Sequence, residues 1–280
     1  MYSILEHYLS TNHILMIGMI VTFILTFFLL EHPFSFLPSD QGRAFAVNGS
    51  LSKGKLRGVG FIFVLCFLIS SVLFLPLDVE YVIYGILLFA MMISGYLDDA
   101  SKTPWNEYKK GLIDLVISVV AVLTYMNFNS TTICFGADEI VIPKALFLIL
   151  GVILIWVSVN VTNCTDGVDG LCASLCSVTL LAFGVLFASV LQKYAMANFL
   201  FLSVLFAYLY FNSSPSSMLM GDAGSRALGF YIAVIALKST HPFIYILLAA
   251  VMIVDGGIGL VKIALKRFLK ISILKKTRTP

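Results

Sequence analysis

Charge is scarce in this sequence. Asp, Glu, Lys and Arg make up 12% of its 280 residues, against 60% for hydrophobic side chains. A water-soluble domain is nearer a quarter charged, so that class is excluded, and the mean hydropathy of +0.99 points to a membrane protein. Cysteine offers no framework either. Cys66, Cys134, Cys164, Cys172 and Cys176 are odd in number and show no Cys-x-x-Cys spacing, so they read as small buried hydrophobes rather than as disulfides or a zinc site. His7, His13, His32 and His241 are scattered without ligand spacing and are assigned no chemistry. No Lys or Arg precedes the first apolar run; the basic start of a cleaved signal peptide is missing, and that run reads as a retained span.

What is present is apolar runs of membrane length. A bilayer core takes about 20 residues of helix, and that ruler predicts nine spans, at 13–30, 58–76, 81–97, 111–127, 145–161, 170–191, 195–211, 225–239 and 243–265. The expected fold is all-α, a polytopic helical membrane bundle with brief connections and one domain over residues 1–280. Basic residues are retained on the cytoplasmic side of spans. Alternating the loops gathers most of the 18 basic residues, from Arg43 to the Arg278 tail, on one side, and leaves Lys144, Lys193 and Lys238 on the other. The N-terminus is therefore expected outside. On that map Asp98, Asp99, Asp166, Asp169 and Asp222 all fall on the cytoplasmic side, although only basic residues entered the count.

Three motifs carry these aspartates. In "GYLDDASK" the adjacent Asp98 and Asp99 end a span, where carboxylates oppose the helix dipole, and keeping both ionised wants a cation such as Mg²⁺ or Lys102. In "NVTNCTDGVDGL", Asn160, Asn163, Asp166 and Asp169 recur every third residue, and Gly167 and Gly170 permit sharp turns. That pattern reads as a helix end running into a polar loop, whose oxygens suit a hard cation bridged to phosphate; a bland polar hairpin needs fewer acceptors. In "MGDAGSRALGF", Asp222 lies between Gly221 and Gly224 just before a helix, where backbone N–H groups can meet a phosphate and Arg226 can neutralise its oxygens.

Smaller features divide between structure and function. In "LSKGKLRGVG" Lys53 is favoured as a diphosphate contact and Arg57 as a positive-inside anchor. Asp255, inside the last span beside Gly256 and Gly257, suits a lining role and a substrate contact equally. Asp114, near the start of the fourth span, reads as a helix cap.

Such a cluster fits Mg²⁺ and phosphate chemistry, and phosphoryl transfer between a soluble nucleotide compound and a membrane lipid is the simplest reading. A cation- or proton-coupled transporter is the rival, with most carboxylates at the rim rather than mid-span against it. A non-catalytic scaffold leaves the aspartates unexplained. No nucleic-acid partner is expected.

The ordered set "YLDD…K", "NVTNCTDGVDGL" and "MGDAGS" resembles the polyprenyl-phosphate N-acetylhexosamine-1-phosphate transferase superfamily. Thr165 before Asp166 and "ALGF" after Asp222 are similar to its phospho-N-acetylmuramoyl-pentapeptide transferase branch more than to its N-acetylglucosamine-1-phosphate branch. The resemblance implies transfer from UDP-MurNAc-pentapeptide to undecaprenyl phosphate, giving lipid I and UMP, in a bacterial cytoplasmic membrane, with Mg²⁺ as cofactor and a homodimer common in the family. It implies Asp222 as metal ligand, with Asn163 beside it, and Asp98 and Asp99 orienting the lipid phosphate. Asn160, Asp166 and Asp169 would shape the metal and nucleotide pocket, Asn212 of "YFNSSPSS" would lie near the nucleoside, and Lys53 and Lys102 would face phosphates. The chain departs from the family pattern at "KGKLRG", where a threonine-proline pair is common, and at Leu219, where an aromatic is common. The family's histidine-rich loop and tenth span would follow the "KKTRTP" at which this sequence stops.

Overall fold

The computed structural model describes residues 1–32, 34–40, 53–101, 103, 105–136 and 138–265. A short α1 (Tyr2–Leu5) leads into α2 (Thr11–Glu31), α3 (Gly60–Phe74), α4 (Val79–Asp99) and α5 (Glu107–Phe128). A hairpin of β1 (Thr132–Phe135) and β2 (Asp138–Val141) follows, then α6 (Lys144–Thr165), α7 (Leu171–Leu186), α8 (Ala188–Leu191), α9 (Lys193–Asn212), α10 (Gly221–Lys238), α11 (Ile244–Leu248) and α12 (Ala250–Ala264). Polar residues start several of the apolar runs. The Asp78 carboxylate accepts the Tyr81 N–H at 2.8 Å to open α4, and Asn106 accepts the Lys109 N–H at 2.8 Å to open α5, satisfying donors that a helix start leaves orphaned.

Among the described residues α2, α4, α5, α6 and α9 are long and apolar enough to cross a membrane, and α3 and α7 are apolar but shorter. The protein is a multi-pass helical membrane protein. Two predicted spans are broken. The sixth divides into α7 and α8 at Phe187, and the ninth into α11 and α12 at Ala249. The eighth begins at Gly221 rather than at 225, because Gly221 takes φ +65° and turns the chain directly into the helix. Asp222 thus sits in the first turn of α10, not ahead of it. Asp114 does not cap α5: Asn106 does, and Asp114 lies further along the helix, buried. The hairpin was not foreseen. It is antiparallel, pairs Thr132 with Val141 and Phe135 with Asp138, and is tied to the end of the bundle by Cys134 N–H donating to the Thr240 carbonyl at 2.8 Å.

At the centre stands α10, buried at every residue from Gly221 to Leu237. Small residues let its neighbours approach closely. A Cβ on Gly60 of α3 would overlap the Gly224 backbone, one on Gly95 of α4 would overlap the Asp222 carbonyl, and one on Gly229 would press into Ser158 of α6. The helix is also held electrostatically at both ends. At the far end Lys238 donates to Glu80 of α4 at 2.9 and 3.1 Å and to Asn129 at 2.7 Å, and the Tyr84 hydroxyl donates to the same carboxylate at 3.2 Å.

Candidate active site

The opposite end of α10 collects the motifs. Because Gly95 allows the α4 backbone against Asp222, the last turn of α4 delivers Asp98 and Asp99 beside the first turn of α10. Gly221 completes the approach, since a Cβ there would collide with the Asp99 carboxylate. Asp99 accepts the Ala223 N–H at 3.3 Å, and Asp98 accepts the Trp105 N–H at 2.7 Å.

Two cations tie the carboxylates together. Arg57 donates from Nε to Asp99 at 2.8 Å, from Nη1 to Asp40 at 3.2 Å and from Nη2 to Asp222 at 3.5 Å. Lys110 of α5 pairs with Asp98 and donates to Asp222 at 3.1 Å. Burial by itself would lower the Arg57 pKa, but Asp99, Asp222, Asp40 and Asp166 together raise it above its ordinary range, so the guanidinium is fixed as a cation. Arg57 is therefore a part of the site and not merely an anchor ahead of α3, a correction to the sequence reading. An anchor needs only a positive charge near the bilayer; three carboxylates within reach of one guanidinium require the residue itself.

The second motif borders this cluster. Asn163 donates to the Ser225 hydroxyl at 3.0 Å, which in turn donates to the Gly221 carbonyl at 2.9 Å, so it braces the turn that presents Asp222. Asp166 is buried at the end of α6 within electrostatic reach of Arg57. Asp169 accepts the Ser216 N–H at 2.9 Å and the Ser216 hydroxyl at 2.8 Å, and Lys55 Nζ lies 3.7 Å from it. Partial burial opposes its charge, but the Ser216 donors and Lys55 outweigh that and hold its carboxyl below the usual range. Asn212 is buried and spends its amide as a strut, accepting the Gly170 N–H at 3.0 Å and donating to the Met218 carbonyl at 2.9 Å.

Four other sequence-predicted residues are exposed or engaged elsewhere, although Arg226 lies within electrostatic reach of Asp222. Asn160 donates back to Trp156 in its own helix at 2.8 Å. Lys53 is exposed. Asp255 of α12 keeps one buried carboxylate oxygen without a hydrogen-bond partner among the described residues. Arg226, only 2% exposed, is buried beneath Asp222 and paired with Asp114 of α5. Lys102 lies outside the described residues. Sequence reasoning missed Asp40, Lys55, Lys110 and Ser216. Lys55 had a signal in its place in the same basic lead as Lys53 and Arg57, and Ser216 in its place in "YFNSSPSS" beside Asn212.

Among the described residues no three such side chains converge tightly enough to enclose a metal ion. The donor set nonetheless fits Mg²⁺. Asp98, Asp99 and Asp222 bring carboxylate oxygens together beside Arg57 and Lys110, with Asp40 and Asp166 close to Arg57. Mg²⁺ usually binds through one or two carboxylates with waters and substrate phosphates, not in an all-protein cage.

The glycosyl transferase family 4 model matches residues 81–240, from the start of α4 to the end of α10. A phospho-N-acetylmuramoyl-pentapeptide-transferase of Treponema pallidum (strain Nichols) is 36% identical over 94% of this chain and 79% of its own length. Proteins of the same name from Halalkalibacterium halodurans and Wolinella succinogenes are 28% and 29% identical, over 87% and 75% of this chain and 81% and 68% of theirs. The match takes in Asp98, Asp99, Asp166, Asp169 and Asp222 together with Lys110. This chain belongs to glycosyl transferase family 4, alongside the phospho-N-acetylmuramoyl-pentapeptide-transferases.

Proposed function

We propose that the protein transfers phospho-MurNAc-pentapeptide from UDP-MurNAc-pentapeptide to undecaprenyl phosphate, releasing UMP and leaving lipid I in a bacterial cytoplasmic membrane, with the site facing the cytoplasm. The observation that carries this reading is the convergence of Asp98, Asp99 and Asp222 around Arg57 and Lys110 at one end of the bundle. The names of the relatives and the family match support it.

The chemistry follows from charge placement. A lipid phosphate is already largely ionised near neutral pH, so the reaction needs a positioned nucleophile more than a proton acceptor. Asp98 and Asp99 hold Lys110 and Arg57 in fixed directions, and these cations receive the phosphates. An oxygen of the lipid phosphate attacks the sugar-linked phosphorus; the new P–O bond forms as the P–O bond to UMP breaks, and UMP departs with that electron pair. Mg²⁺ held by Asp222 and Asn163 together with the diphosphate would supply neutralisation of the charge on the leaving phosphate. Asp166 and Asp169 shape the neighbouring wall, and Asn212 keeps the two loops of that wall in register.

The test is product formation by purified protein in detergent with undecaprenyl phosphate, Mg²⁺ and either UDP-MurNAc-pentapeptide or UDP-GlcNAc. Lipid-linked product from the pentapeptide nucleotide alone, abolished by Asp222→Asn and by chelation, is the expected result. Product from UDP-GlcNAc alone would move the protein to the other branch of the superfamily. Silence with both nucleotides, from folded protein and again from protein given a C-terminal extension, would overturn the transferase reading in favour of a transporter.

A further inference from the structure

Lys110 and Asp114 lie one turn apart on α5, and Asp222 and Arg226 lie one turn apart on α10. Residues four apart on a helix are neighbours able to pair. The simplest pairing of these four would therefore be within each helix, Lys110 with Asp114 and Asp222 with Arg226. The structure shows the crossed arrangement, with Lys110 on Asp222 and Arg226 on Asp114, both between helices. The second rung is the deeper one. Asp114 and Arg226 are each 2% exposed, and Arg226 keeps Nε and Nη1 buried with no hydrogen-bond partner among the described residues. Arg226 is thus a strong cation with unspent donors, within electrostatic reach of Asp222 on its own helix.

We propose that the buried Asp114–Arg226 pair is a positioning device that keeps Arg226 off Asp222 and Asp114 off Lys110, leaving Asp222 and Lys110 free to face the reacting phosphates. The pair touches no substrate and acts through the residues above it. It rests on the reading of Asp222 as the phosphate-site carboxylate. The consequence is a specific pattern of non-additivity. Asp114→Asn releases Arg226, which then captures Asp222 in its own helix. Arg226→Leu releases Asp114, which then draws Lys110 away from Asp98 and Asp222. Removing both leaves no competitor.

The experiment measures kcat, KM for the nucleotide and the Mg²⁺ concentration giving half of the cation-dependent rise in Tm, for the full chain in detergent. In Asp114→Asn, kcat is expected to fall, and the half-saturating Mg²⁺ to rise, by about tenfold or more, the usual effect of losing a group that orients a metal ligand, with KM nearly unchanged. Asp114→Glu, which keeps the carboxylate, should behave as wild type. The double variant Asp114→Asn/Arg226→Leu should recover most of both quantities. An Asp114→Asn protein that keeps wild-type kcat and Mg²⁺ response overturns the proposal, as does a folded double variant no better than the single. If a single variant does not fold, the volume-matched Asp114→Leu/Arg226→Met protein decides: near wild-type values support the device, and a folded but inactive protein with weakened Mg²⁺ response overturns it. The Mg²⁺-dependent Tm needs no turnover. If the wild type makes no product, the transferase reading fails while the variant series still decides the pairing. A wild type with neither product nor Mg²⁺-dependent Tm sinks both.

Discussion

Arg57 holds three carboxylates through three different nitrogens, a task that depends on the fork of a guanidinium as much as on its charge. Lysine offers one compact ammonium in its place. Arg57→Lys is expected to keep the fold and lose activity by about one to two orders of magnitude, the usual cost of disturbing groups that orient a charged site; initial rates and Tm measured on the same preparation check this. Asp169 gives a prediction in pH. Its folded pKa is depressed, so its contribution to stability is complete above the unfolded aspartate value of about 3.9 and is lost as pH falls through the folded value. Ser216→Ala removes one of the two Ser216 donors and moves the folded pKa up toward the unfolded value, so it should lower Tm at neutral pH and shrink the part of the acid-induced fall in Tm that Asp169 contributes, measured in detergent. The sequence made Asp98, Asp99 and Asp222 legible because a carboxylate at the edge of an apolar run needs a reason to be there. It hid Arg57, because a basic residue ahead of a span already has one. Asp40 and Lys110 were invisible for a different cause: their partners Arg57, Asp98 and Asp222 stand on other segments of the fold, and spacing carries no sign of such pairs.

At the scale of elements, the site depends on how closely α4 and α3 lie against α10. Gly95→Ala puts a methyl group into the Asp222 carbonyl, and Gly60→Ala puts one into the Gly224 backbone. In both cases the obstacle is main chain, which cannot rotate away. Overpacking of this sort costs about 1–3 kcal/mol, and here it also widens the gap across which Arg57 and Lys110 must reach. Gly95→Ala should therefore lower activity per folded molecule more than it lowers Tm, whereas Gly85→Ala, on the same helix and meeting only the tip of Leu68, should lower neither appreciably. Helix existence was legible from apolar run length. The breaks at Phe187 and Ala249 were not, since both lie in stretches whose hydrophobicity continues across the break. The hairpin at 132–141 is short, and a ruler set to membrane length passes over it.

For the molecule as a whole, α4 and α10 are fastened at both extremities, by the carboxylate cluster at one and by Glu80 with Lys238 at the other. The far fastening is remote from the reacting groups, so it serves stability alone. Lys238→Met leaves Glu80 buried without its cation, a change that costs about 3–5 kcal/mol when nothing else compensates. Tyr84 and Asn129 still donate to Glu80, which places the expected loss toward or below the lower end, read as a fall in Tm with activity per folded molecule retained. Adding Glu80→Gln should restore part of that Tm.

The burial of α10 also bears on how the protein is made. This helix carries Asp222, Arg226 and Lys238 and is not one of the five helices that, among the described residues, are long and apolar enough to cross a membrane. Charged residues resist insertion into lipid when they arrive alone. Their partners are Arg57 and Lys110 for Asp222, Asp114 for Arg226 and Glu80 for Lys238. Every one of them precedes α10 in the chain, so each has left the ribosome before α10 emerges. The order of synthesis supplies the counter-charges first, and the helix least suited to lipid enters last among its partners, into protein already waiting for it.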